Sequence, residues 1–282
     1  MNHEMKEKKN GKIYCKYCGT ERDKYVKFCE NCGPSKLEAV LNGEKKNSVE
    51  GVKSEIVKPK LTRNVDIVLV IDSTSDMGNA IDGIKKNIHN FYEQLMESAI
   101  KKHKFIDKMR MRIISFRDYL ADENPMFVSE FYKLPDETEK VIKALDSIIA
   151  SGGGDEAEDG LEALAYAIRS KWDTSCMSSR HIIMLFTDAP AHELGYGKSS
   201  KLYPSNMAKT YAELSEWWDN SDYISQKAKR LVLFAPDSGV WNDISDNWSN
   251  VIHVRSKTGE GLIELKFQEN KNAITDFVLL NM

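Results

Sequence analysis

The segment CKYCGTERDKYVKFCENCG holds Cys15, Cys18, Cys29 and Cys32 as two CxxC pairs ten residues apart, and Gly19 and Gly33 each follow the second cysteine of a pair. A CxxC turn aims two thiolates at one point, and four thiolates close the tetrahedron that zinc prefers. Glycine after each pair tolerates positive φ and lets the turn wrap back so that backbone N–H groups face the sulfurs. A redox dithiol is the competing chemistry. It needs one CxxC opening a helix of a thioredoxin-like unit, and two matched pairs flanked by Tyr14, Tyr17 and Phe28 lack that form. Cys176 stands alone in DTSCMSSR, where an idle thiol is the default.

A second set is made of oxygen donors. Asp72, Thr74 and Asp76 fall in DSTSDMG, Asp155 in GGGDEAEDGLEAL, and Thr187 and Asp188 close RHIIMLFTDA. Taken singly, these are ordinary N-caps and loop residues. Gathered on one rim, the carboxylates would repel strongly unless a cation lay among them, and oxygen ligands suit Mg²⁺, Mn²⁺ or Ca²⁺.

Strands and helices that would gather them are legible in the periodicity. VDIVLVID, from Val65 to Asp72, is a nearly continuous β-branched run, as in a strand buried on both faces of a parallel sheet. Helical spacing of Ile81, Ile84, Ile88, Phe91, Leu95 and Ile100 predicts a helix over 79–102. MRMRIISFRDY and PMFVSEFYKL read as two strands, and helices are expected over 136–150 and 158–172. RHIIMLFTDA, RLVLFAP and NVIHVR read as further strands, with a closing amphipathic helix reaching Leu280. This alternation predicts an α/β fold with a doubly wound, mostly parallel sheet covered by helices on both faces. Ligands of such sheets sit beyond the carboxyl ends of the strands, where Asp72, Asp155 and Asp188 all fall.

Charge divides the chain. Residues 1–64 carry 15 Lys and Arg against 9 Asp and Glu, and the remainder carries 25 against 34, so a net charge of -3 conceals a basic front and an acidic body. The expected organisation is a zinc ribbon over 1–34, a Lys-, Glu- and Gly-rich flexible tether over 35–60 and one large domain over 61–282. Apolar runs such as Ile67–Ile71 and Ile182–Phe186 are too short to span a bilayer, and MNHEMKEKKN lacks the apolar core of a secretory signal. A cytoplasmic location is the expectation, and a reducing compartment argues against disulfides.

On these motifs the large domain resembles the von Willebrand factor type A family, which carries a metal-ion-dependent adhesion site on a Rossmann-like sheet. The likeness covers about 64–282. Asp72, Thr74 and Asp76 match the family's DxSxS motif, Asp155 stands where a Thr follows a glycine pair, and Asp188 matches the Asp of TDG. SFRDY, SGGGDEAED, LFTDAPAH and LVLFAPD resemble the intracellular bacterial members and those associated with alpha-kinase proteins. The resemblance implies Mg²⁺ or another divalent ion (Mn²⁺, Ca²⁺) at the site and a protein partner whose acidic side chain completes the metal shell. Two departures bear on this, Asp76 for a hydroxyl and Asp155 for Thr. Each added anion offsets the ion's charge, which strengthens cation retention and weakens the pull on an incoming carboxylate.

The reading is therefore a non-enzymatic adaptor or scaffold that binds an unidentified protein through a variant adhesion site, with a tethered zinc ribbon. A Mg-dependent phosphohydrolase of the haloacid-dehalogenase type also places an Asp after the first strand. However, Thr74 takes the place of its second Asp, and Asp188 is followed by Ala-Pro instead of an acidic partner. Nucleic-acid binding by the basic front is a further alternative: Lys12, Lys16, Arg22, Lys24 and Lys27 interleave with Tyr14, Tyr17 and Tyr25, but Glu21, Asp23 and Glu30 sit among them. Around the rim, Arg117 and Asp118 are expected to pair and order their loop, and His192 is expected to be solvated.

Overall fold

The chain divides into two compact units, Met1–Pro59 and Lys60–Met282. The computed structural model describes residues 6–8, 12–14, 21–22, 63–104, 106–176, 178–262 and 279. In the first unit β1 (Lys6–Lys8), β2 (Lys12–Tyr14) and β3 (Glu21–Arg22) form an antiparallel sheet in that order. The segment joining β2 to β3 carries Cys15 and Cys18. These two, together with Cys29, Cys32, the tether expected over 35–60 and the closing helix apart from Leu279, lie outside the described residues.

The second unit is built on β4 (Arg63–Asp72), β5 (Lys108–Phe116), β6 (Met126–Val128), β7 (Tyr132–Leu134), β8 (Ser178–Phe186), β9 (Lys229–Pro236) and β10 (Val251–Ser256). Five strands run parallel in the order β10, β9, β8, β4, β5, and β6 and β7 both pair antiparallel with β5. This is the mostly parallel α/β sheet that the sequence predicts. Strand β4 lies at its centre and shows why a continuous apolar run is needed there. Val65, Ile67, Leu69 and Ile71 enter one core with α1 (Gly78–Lys101) and α2 (Thr138–Asp146). Val68 and Val70 enter the other with α3 (Gly160–Ile168), α4 (Tyr211–Asp219) and α5 (Gly239–Asn247). Burying each such side chain contributes roughly 1.5–3 kcal/mol, so the two faces dominate the stability of the unit. No helix among the described residues is long and apolar enough to cross a membrane.

PMFVSEFYKL forms two short strands rather than one. The reason is Ser129, whose hydroxyl accepts from Ile113 N at 2.9 Å while its own N–H donates to Ile113 O at 2.9 Å. A side chain thus takes a ladder position and splits the edge into β6 and β7.

At the amino ends of β4 and β5 a buried network replaces hydrophobic contact. Asp66 accepts two bonds from Arg110 (2.8 and 2.6 Å) and one from Asp173 N (2.6 Å). Asp173 in turn accepts from Asn64 Nδ2 at 3.1 Å, Lys108 Nζ at 2.5 Å, and both the N–H and hydroxyl of Ser175. Burial alone would raise the Asp173 carboxyl, but the donors Lys108 and Ser175 outweigh it and hold it well below the usual range. A depressed folded-state value stabilises above the unfolded value of about 4 and is lost as the pH falls through the folded value. Asp173→Asn should therefore lower stability by about 1–3 kcal/mol at neutral pH, and urea melts should show the gap to the parent protein closing in acid. A gap independent of pH would contradict this.

Candidate metal centre on the carboxylate rim

Strand register brings the oxygen donors together. In the parallel ladder Ile71 lies opposite Phe186 and Asp72 opposite Phe116, so the residues just beyond these positions share one rim. Asp72 is fully buried. Its Oδ1 accepts from Thr74 N at 2.9 Å and Thr74 Oγ1 at 2.7 Å, and its Oδ2 accepts from Thr187 Oγ1 at 2.6 Å. Burial pushes the Asp72 carboxyl up to about 6 against these three bonds, with the charge of Asp188 adding to the rise. Asp188 is itself buried and accepts from Gly261 N at 2.6 Å; burial and the nearby Asp76 push its carboxyl up as well. Asp76 is exposed on the short 3-10 turn Ser75–Met77.

The glycine loop is tied onto this rim. Ser151 N donates to Ser73 O at 3.0 Å and Ser75 Oγ to Gly152 O at 2.9 Å. Gly153 has φ +95°, and a Cβ there would stand 3.1 Å from Glu158 Oε1 and 3.5 Å from Thr74 Cγ2. A Cβ on Gly154 would stand 2.7 Å from Ala121 Cβ and 2.9 Å from Asp118 Oδ2. Glycines here let the loop backbone close over the carboxylates. Farther along, Glu158 N donates to Pro190 O and His192 N to Glu158 O, both at 3.0 Å, which fixes the loop before α3 against the TDAP turn. Trp241 Nε1 holds the other side of that turn through Ala189 O at 3.0 Å.

That pairing decides which acidic side chain faces inward. Glu158 is 3% exposed, and Asp72, Asp118, Asp122 and Asp159 all act on it. Burial and these charges push its carboxyl up to about 9, and its Oε2 has no hydrogen-bond partner among the described residues. Asp155 is exposed and faces His192 Nε2 at 3.0 Å, with Tyr196 Oη donating to its other oxygen at 3.4 Å. Sequence reasoning selects Asp155 by its place after the glycines; the signal for Glu158 is only the density of carboxylates in DEAED.

Two neighbours also differ from expectation. Arg117 does not pair with Asp118 but caps backbone carbonyls, Ser73 O at 3.0 Å and Ile149 O at 2.7 Å. His192 is buried, not solvated, with Nδ1 3.1 Å from Asp159 Oδ1.

Asp72, Asp188 and Glu158 are each buried, no basic side chain forms an ion pair with any of them among the described residues, and one carboxylate oxygen is orphaned, which favours a cation beside them. Their oxygens do not, however, form a group within 4.8 Å of one another; among the described residues that closeness is reached by Asp118, Asp159 and His192. A buried carboxylate is stable only when compensated.

The family model of the von Willebrand factor A domain matches residues 66–201. Over those residues, just under half of the chain, the sequence is similar to a von Willebrand factor A domain. Among solved structures it is similar to the pilus adhesin SpaC from Lactobacillus rhamnosus GG, at 11% identity and TM-score 0.47, over 77% of this chain and 31% of that one. It is also similar to proximal thread matrix protein 1 from the mussel byssus (12%, TM-score 0.42, 77% and 47%) and to a von Willebrand factor type A protein from Catenulispora acidiphila (13%, TM-score 0.41, 77% and 43%). The matched region spans between about a third and a half of those proteins. Comparison with curated proteins gives no match.

Thr187 both donates to Asp72 and accepts from Ala189 N at 3.1 Å. Thr187→Val keeps the shape and removes both bonds. It should destabilise the metal-free protein by about 1–3 kcal/mol in chemical denaturation, and an unchanged midpoint would show that Asp72 does not depend on it.

Proposed function

We propose that this protein is a non-enzymatic, cation-dependent protein-interaction module, an adaptor whose large domain holds Mg²⁺ or a related divalent ion (Mn²⁺, Ca²⁺) and engages a protein partner at the same rim. The observation that carries the reading is the uncompensated set of buried carboxylates around Asp72. Asp72, Asp188 and Glu158 would hold the ion, with Asp76 at its exposed edge and Thr74 Oγ1 as the neutral donor. Glu158 takes the inward role that the motif alone would give to Asp155. When bound, the cation supplies positive charge at the surface and an acceptor for an acidic side chain of the partner. The chain's own residues do the rest: Thr187 and Thr74 orient Asp72, Gly261 N holds Asp188, and the glycine loop shapes the opening. With several carboxylates of its own, the site should retain its ion firmly and pull on a partner carboxylate weakly.

Cys15, Cys18, Cys29 and Cys32 are proposed to hold a zinc ion that folds the first unit, which then serves as a second docking element in a cytoplasmic protein. Support for this rests on the spacing of the cysteines.

Adding Mg²⁺ or Mn²⁺ should raise the melting temperature of the parent protein, and Asp72→Asn should abolish that rise. Proteins retained from the native cell by the parent but not by the variant would be partners. An equal shift in both proteins would remove Asp72 from the site. Metal analysis of the full chain should find about one zinc per chain, lost in Cys29→Ser; a zinc content unchanged by that substitution would contradict the four-cysteine site.

A further inference from the structure

We propose that Asp118, Asp159 and His192 form a second divalent-cation site beside the first, with Glu158 shared between the two. One ligand atom from each of the three residues lies within 4.8 Å of the others, and all three residues are buried. Each carboxylate has one oxygen anchored to backbone: Asp118 Oδ1 accepts from Leu120 N and Asp159 Oδ2 from Tyr119 N, both at 2.6 Å. That leaves Asp118 Oδ2 and Asp159 Oδ1 as the available donors. His192 Nδ1 stands 3.1 Å from Asp159 Oδ1, the spacing of adjacent ligands on an ion with bonds of roughly 2.1 Å.

The far side of the imidazole is equipped for ligation. Asp155 Oδ1 lies 3.0 Å from Nε2, so a proton on that nitrogen leaves Nδ1 as a lone-pair donor. A carboxylate in this position fixes the tautomer and ring plane of a metal-bound histidine. Tyr196 stacks on the ring with centroids 3.9 Å apart and donates to the other oxygen of Asp155. Asp155 is thereby a positioning residue for His192.

A further observation, apart from the three ligands themselves, favours a ligand here. Glu158 Oε2 is buried without a partner among the described residues, and the charges of Asp118 and Asp159, as well as that of Asp72, act on its carboxyl group. One imidazole with carboxylate oxygens suits a first-row ion such as Mn²⁺, Fe²⁺ or Zn²⁺, whereas Ca²⁺ favours oxygen alone. The second site rests on the first reading only for the sharing of Glu158; its three ligands are its own.

The test is Mn²⁺ titration of the full chain by calorimetry, with the electron paramagnetic resonance spectrum recorded at saturation. Mn²⁺ is chosen because oxygen and imidazole donors take it, while thiolates favour zinc. The parent should bind two Mn²⁺ per chain and show spin coupling between them. His192→Gln and Asp118→Asn should each bind one ion and lose the coupling; Asp72→Asn should also bind one, at the other site. Far-ultraviolet circular dichroism of each variant separates loss of a site from loss of the fold, and Asp118→Asn serves if His192→Gln does not fold. A single ion lost in Asp72→Asn but kept in His192→Gln and Asp118→Asn would overturn the second site and leave the first. A single ion with the opposite pattern would uphold the second and remove the first, and no bound ion would overturn both.

Discussion

Buried carboxyl groups that pair with no Lys or Arg among the described residues are the constraint on which the rest of this structure turns. Asp72, Asp188, Glu158, Asp118 and Asp159 lie at one edge of a single sheet, all nearly inaccessible to water. The protein compensates them in part with neutral donors, Thr74 and Thr187 on Asp72, Gly261 N on Asp188, Leu120 N on Asp118 and Tyr119 N on Asp159. Glu158 Oε2 receives nothing from the described residues. Contrast the opposite edge of the same sheet, where Asp66 and Asp173 are equally buried but paired with Arg110 and Lys108. One end of the fold meets its acids with Arg110 and Lys108, and the other meets them with neutral donors and with His192 on Asp159.

The sheet makes this arrangement hard to avoid. Parallel pairing of β4 with both β5 and β8 sends three carboxyl-terminal strand ends to the same side. Their apolar runs are buried on both faces, so a slip by one residue would exchange two sets of core side chains and is strongly opposed. Asp72, Thr187 and Asp118 inherit that precision. Glu158 and His192 are set differently, by the short parallel bridge between the loop before α3 and the TDAP turn.

This difference explains what could be read from the sequence. Strands with continuous β-branched runs declare themselves, and their ends locate Asp72 and Asp188 with no structural information. Loop residues do not: Asp155, Glu158 and Asp159 are all acidic and within five positions, and only the hydrogen bonds of Glu158 N and His192 N decide which turns inward. Ser129 is invisible for a similar reason, since its effect is one side-chain bond to Ile113 rather than a periodicity. His192 reads as a lone polar residue after a turn, and its burial follows from contacts with Asp159, distant in sequence, and with the ring of nearby Tyr196.

Anomalous diffraction from crystals grown with Mn²⁺ should show a peak bounded by carboxylate oxygens of Asp72, Glu158 and Asp188. A protein saturated with Mn²⁺ in solution whose crystals show no density there, with Asp72 still bonded only to Thr74 and Thr187, would contradict it.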